Sequence, residues 1–240
     1  MKNRLLASAA LFCVTLNLFP LHANATTQIG DAEISANVGF VTEYSFRGIA
    51  QSNEAPAVQG GFDISHSSGL YAGVWASNVK FGDASLETDL YGGYSGSVDK
   101  FSYDIGAIYY MYPGAANNLN YDYYELSASI GYDFDLFSTS AAVNYSPEFF
   151  GKSGHAEYYS LSANVPLPHD FSLNAHVGRQ NIDNNVAFGT PDYTDWGAGL
   201  GYSWQGFDFS LSYIDTDLKE PAECADGCNA KVIFGISRSF

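Results

Sequence analysis

Positive charge is scarce in this sequence. Its 240 residues include 10 Lys plus Arg against 26 Asp plus Glu, a formal net charge of −16. A surface of that sign cannot neutralise phosphates, which excludes nucleic acid as a partner. Long apolar runs are also missing. Beyond residue 25, no segment holds the roughly 18 or more consecutive apolar residues that a membrane helix requires. Cysteine is nearly absent, and two of the three, Cys224 and Cys228, flank Ala225-Asp226-Gly227. With no histidine beside them they make a poor zinc set, and in an oxidising compartment they close a small disulfide ring in a loop. No metal ion and no cofactor is implied.

The first residues account for the compartment. Lys2 and Arg4 precede a largely apolar stretch from Leu5 to Leu21, and Ala23-Asn24-Ala25 is a small-x-small cleavage site. Residues 1–25 therefore read as a secretory signal peptide, with the mature chain as one domain over 26–240. Phe12 before Cys13 argues against a lipoprotein anchor.

What the chain has in abundance is aromatics and glycine: 18 Tyr, 17 Phe and 24 Gly. They fall into a period of two. In Gly197 to Ile214, Ala198, Leu200, Tyr202 and Trp204 alternate with Gly197, Gly199, Gly201 and Ser203. After Gln205-Gly206, Phe207, Phe209, Leu211 and Tyr213 alternate with Asp208, Ser210 and Ser212. Side chains on a strand point to opposite faces, so this is a hairpin with one apolar and one small, polar face. Short turns sit just before Phe101, Phe137, Phe171 and Phe207, and the chain ends on Phe240. A return of about 35 residues marks a repeated two-strand unit.

Connections alternate in length as well. Those beside the aromatic row are short: Ser67 to Gly69, Gly96 to Lys100, Asp133 to Leu136, Pro166 to Asp170 and Gln205-Gly206. Those at the other end are longer: Arg47 to Pro56, Lys80 to Ser85, Tyr112 to Tyr121, Ser146 to Ala156, Gln180 to Thr194 and Asp215 to Ala230. A soluble sandwich has no reason to sort its loops this way, whereas an outer-membrane barrel does. The expected fold is all-β, a closed antiparallel up-and-down transmembrane β-barrel of about twelve strands, with both termini on the short-turn, periplasmic rim. The first strand is expected from Glu33 to Phe46, with Tyr44 on its apolar face. The facing of the strand from Leu70 to Val79 is undetermined, because Tyr71 and Trp75 oppose Leu70 and Val74. Val232, Phe234, Ile236 and Phe240 share a face of the last strand, in the manner of the terminal signature read by the barrel-insertion machinery.

The runs Tyr44-Ser45-Phe46-Arg47-Gly48-Ile49, Pro56-Ala57-Val58-Gln59-Gly60-Gly61-Phe62-Asp63 and Leu90-Tyr91-Gly92-Gly93-Tyr94 resemble TorF-type porins of proteobacteria, a family of unknown function. The resemblance implies an outer-membrane, channel-like protein and supplies no substrate and no catalytic residue.

Carried through the strands, the period of two puts Glu43, Asp63, Glu87, Asp89, Asp104, Glu125 and Asp208 toward the lumen, with Arg47 as the clearest base beside them. Carboxylates around a wet tube favour cations, so passage of small hydrophilic solutes with a cation preference is the leading expectation. The alternative is a non-conducting barrel for surface recognition or membrane integrity, whose acidic rim meets lipid and lipopolysaccharide. Arg47 is expected beside Glu43, facing Asp63 across the first hairpin. His176, with Ser172 and Asn174, faces the lumen, yet no hydrolase motif surrounds it, and no enzyme is expected.

Overall fold

The computed structural model describes residues 26–240; the expected signal peptide lies outside them. Alternating apolar and polar residues form twelve long strands: β1 (Ala32–Val41), β2 (Ala57–His66), β3 (Leu70–Phe81), β4 (Ala84–Val98), β5 (Phe101–Met111), β6 (Tyr123–Asp133), β7 (Ser138–Ser146), β8 (Ala156–Pro166), β9 (Phe171–Ile182), β10 (Tyr193–Trp204), β11 (Phe207–Thr216) and β12 (Lys231–Ser239). Each pairs antiparallel with its neighbours in sequence. The sheet closes where β12 meets β1, in a register from Gly235 opposite Val41 to Ser239 opposite Asn37. The N–H of Ala36 donates to the Phe240 carbonyl at 2.9 Å, and the Phe240 N–H returns the bond at 2.7 Å. Closure leaves the long strands without a free edge.

Two-residue turns explain the tightest connections. Gln205 and Gly206 have φ of 49° and 80°, the left-handed pair of a hairpin turn whose twist matches its strands. The periplasmic aromatic row is in place: Phe101 packs on Tyr132 with ring centroids 4.7 Å apart, and Phe171 on Tyr202 at 4.6 Å.

The apolar face points outward. Phe62 is 65 % exposed, Ile105 64 % and Leu161 61 %, each in mid-strand. A closed barrel that presents such a belt is covered by hydrocarbon, and this chain is a protein of the bacterial outer membrane. The facing of β3 is now fixed. Trp75, Ser77 and Val79 are buried inside, while Leu70, Ala72 and Asn78 are exposed outside.

Two boundaries differ from expectation. The first wall strand ends at Val41 rather than Phe46, and Tyr44 is buried inside instead of facing lipid. The residues expected to continue the strand form a separate small hairpin, Ser45–Phe46 paired with Ile49–Ala50. The connection expected over Lys80 to Ser85 is a tight turn at Gly82 and Asp83, because β3 runs to Phe81 and β4 starts at Ala84.

Candidate functional site

The small hairpin after β1 determines the shape of the lumen. Arg47 and Gly48, its turn residues, have φ of 48° and 81°, so Phe46 and Ile49 pair directly and the turn projects Arg47 from its tip. The side chains it meets come from strands all around the wall. Tyr44 packs edge-on against Trp75 of β3 at 5.5 Å and donates its hydroxyl to Glu87 Oε1 of β4 at 2.7 Å. Phe46 packs edge-on against Tyr110 of β5. Only a segment inside the barrel reaches all of these.

Arg47 is the centre of the arrangement. Its Nη1 donates to Glu125 Oε1 at 2.9 Å and to Gln180 Oε1 at 2.7 Å, and its Nη2 donates to Glu125 Oε2 at 2.7 Å. The guanidinium lies 4.2 Å from the ring centroid of Tyr158 and 4.6 Å from that of Phe46. This is a bidentate fork held between two aromatic faces, a geometry that lysine cannot reproduce. Gly48 packs so closely on the far wall that a Cβ there would lie 2.3 Å from Thr216 Cγ2 and 3.0 Å from Asp195 Cβ. Arg47 is 3 % exposed, and Glu125, Gln180 and Asn144 around it are also buried. At this level the lumen is filled by protein.

Two further bonds tie the hairpin to the extracellular end. The Ala50 N–H donates to the Gly227 carbonyl at 2.9 Å, and the Lys80 N–H to the Gln51 carbonyl at 2.7 Å. Gly227 lies in the loop between β11 and β12, where Cys224 and Cys228 are joined in a disulfide with Cα atoms 6.5 Å apart. The carboxylate of the neighbouring Glu220 accepts from the Cys228 and Asn229 N–H groups. Above the hairpin, Phe81, Tyr112, Tyr121, Phe149 and Phe150 form an aromatic cap.

The expected lining residues lie at different levels of the barrel. Glu87, Asp89 and Glu125 are buried around the hairpin. Asp63 and Asp104 lie nearer the periplasm, where the Tyr91 hydroxyl donates to Asp63 and that of Tyr71 to Asp104 at 3.1 Å. Asp208 accepts from the Ser203 hydroxyl beside the Gln205-Gly206 turn. Arg47 is paired differently from expectation. It binds Glu125 and Gln180, and Glu43 instead faces Lys231 Nζ at 3.0 Å. The cause is the turn, which carries Arg47 away from Asp63 on β2 and from Glu43, which lies between β1 and the hairpin.

The wall also carries groups missing from the expected set. His176 does point inward, and its Nε2 meets Asp195 Oδ2 at 2.7 Å, while the Tyr158 hydroxyl donates to Asp195 Oδ1 at 2.9 Å. Asp195 was within reach of the sequence pattern, because stepping back two residues from Gly197 lands on it. Gln180 continues Asn174, His176 and Gly178 in the same way. Tyr110, Tyr123 and Tyr193, all buried inside, carry no such signal, because tyrosine serves both faces of these strands.

Comparison with known proteins places this arrangement. A family described as a bacterial protein of unknown function, Gcw_chp, matches residues 25–240. Among solved structures the chain is similar to the KdgM porin, with a TM-score of 0.61 at 10 % identity over 86 % of this chain and 99 % of that one. It is likewise similar to the NanC porin, with a TM-score of 0.57 at 11 % identity over 86 % of this chain and 98 % of that one. At such identities the likeness is one of fold. No protein of curated function matches the chain in sequence.

Proposed function

The chain belongs to the Gcw_chp family of bacterial proteins of unknown function, and we propose that it works as a porin-like channel for small hydrophilic solutes, cation-leaning and closed at rest by its inserted hairpin. The observation that carries this reading is the lumen's content. Acidic side chains line it from Asp208 near the periplasmic turn up to Glu87, Asp89, Glu125 and Asp195, while Arg47 and Lys231 are each engaged by a carboxylate. A path walled mainly by carboxylates attracts cations and repels anions. One of the similar porins is described in complex with disordered oligogalacturonate; the acidic wall here points to solutes of the opposite sign. The resemblance to TorF-type porins supports a channel as well. On this reading residues 1–25 are the export signal, residues 26–240 the barrel, and the strand ending at Phe240 the segment offered to the insertion machinery. The acidic rim meets lipopolysaccharide through bridging cations.

The filled level around Arg47 favours a second reading, a barrel that never conducts and serves recognition or membrane integrity. Planar-bilayer recording separates the two. A channel closed by its hairpin conducts rarely as wild type and often as Arg47→Ala, with cations carrying most of the current. Silence from both proteins at high occupancy of the bilayer overturns the channel and leaves the recognition barrel.

A further inference from the structure

Four carboxylates are buried around the hairpin: Glu87, Asp89, Glu125 and Asp195. Three have partners. Glu125 holds Arg47, Asp195 holds Tyr158 and His176, and Glu87 accepts from Tyr44 and Tyr112. Asp89 is different. It is 0 % exposed, and neither of its carboxylate oxygens has a hydrogen-bond partner among the described residues. Its cross-strand neighbours are Trp75 and Tyr110, and Glu87, of its own sign, stands two residues before it on β4. On the hairpin, the hydroxyl of Ser45 is also buried and unpartnered.

An ionised carboxylate removed from water costs several kcal/mol unless a counter-charge sits against it. Arg47 cannot provide one, since its two Nη groups are committed to Glu125 and Gln180. Two carboxylates two residues apart on one strand face, both shielded from solvent, form the kind of oxygen-rich, doubly negative position that a hard divalent ion occupies. We propose that Asp89 and Glu87 hold a divalent cation, calcium by preference, between the wall and the inserted hairpin. Asp89 supplies both of its unpartnered oxygens, and Glu87 the lone pairs that the Tyr44 and Tyr112 hydroxyls leave open. Calcium fits better than magnesium because it accepts irregular sets of six to eight oxygens, whereas magnesium demands a near-ideal octahedron.

The inference deepens the acidic-lumen reading but is measured by binding, so its failure and that of the channel are distinguishable. A silent bilayer with calcium bound sinks only the channel, and a conducting barrel without calcium sinks only the site. The test is equilibrium dialysis of calcium against the full barrel, refolded in detergent free of lipopolysaccharide and stripped with chelator, with heat-shifted electrophoretic mobility as the check on folding. The expected result is one calcium per wild-type barrel, an affinity at least tenfold lower in both Asp89→Asn and Glu87→Gln, and no change in Asp215→Asn, where the Tyr213 hydroxyl already occupies the carboxylate. Magnesium should compete poorly. Absence of bound calcium in folded wild type overturns the site, as does calcium retained at full affinity by both folded variants. An infrared band of a protonated carboxyl group that vanishes in Asp89→Asn also overturns it, because a proton would then supply the missing charge.

Discussion

Replacing Arg47 with alanine removes the group that holds the hairpin in the lumen, and the size of the effect follows from what the side chain leaves behind. Glu125 would lose its bidentate partner while remaining buried at 1 % exposure. Removing one member of a buried ion pair costs about 3–5 kcal/mol, mainly from the charge left unpaired. The stacking of the guanidinium between Phe46 and Tyr158 belongs to the same loss and is not added to it. At about 1.4 kcal/mol per factor of ten, the hairpin should leave its seat about 100 to 4,000 times more often. Hydrogen exchange reads this directly. The Ala50 N–H donates to the Gly227 carbonyl at 2.9 Å and the Lys80 N–H to the Gln51 carbonyl at 2.7 Å, bonds that persist only while the segment is folded inward. Their protection should fall by that factor in Arg47→Ala, while amides in the β6–β7 ladder keep theirs. Arg47→Met/Glu125→Met, which removes both charges at similar volume, should restore most of the protection. If Arg47→Ala leaves Ala50 and Lys80 protected to within tenfold of wild type, the ion pair does not hold the hairpin and the reasoning fails.

Gly48→Ala should also dislodge the hairpin, since its Cβ would meet Thr216 and Asp195 and the φ of 81° suits glycine; the same amides and the bilayer open probability report it. Leu161→Arg, at the middle of β8 in the lipid belt, should cost about 2–4 kcal/mol in a reversible folding titration into lipid. The barrel should fold with Cys224→Ser/Cys228→Ser, but exchange at the Ala50 N–H, which bonds to Gly227 in that loop, should quicken.

The wall was legible in the sequence because its two faces meet different solvents. Lipid accepts only apolar side chains at Phe62, Ile105 and Leu161, and the pleat returns them to that face every second residue. The turns were legible because Gln205-Gly206 and the glycine at 69, with φ of 101°, satisfy backbone angles that few residues adopt. The inserted hairpin escaped notice for a matching reason. Its residues continue the alternation of β1 without a break, so Tyr44 reads as one more lipid-facing aromatic. Only Arg47-Gly48 signals a second turn, and that pair equally suits the start of a polar loop. Which carboxylate pairs with Arg47 was not legible at all, because 78 residues separate it from Glu125. Their meeting depends on closure of the barrel, which no local pattern encodes.

The manner in which the lumen is filled bears on whether the closure is permanent. A barrel of about eight strands is filled by its own wall side chains, while one of 16–18 leaves an open channel. With twelve strands, the wall here does not close the tube unaided; Tyr44, Phe46 and Arg47 of the hairpin supply what is missing. Wall residues cannot withdraw without breaking ladder bonds on both sides. The hairpin takes no part in the barrel ladder, which runs to Val41 on β1 and resumes at Ala57 on β2. Its own pairing is internal, from Ser45–Phe46 to Ile49–Ala50, and would travel with it. Emptying the lumen therefore requires loss of the contacts of Tyr44, Arg47 and Gly48 and of the loop bonds at Ala50 and Gln51, while the twelve-strand wall stays whole. On the proposed channel reading, a closure built from so few separable contacts is one that a change in their charge should open.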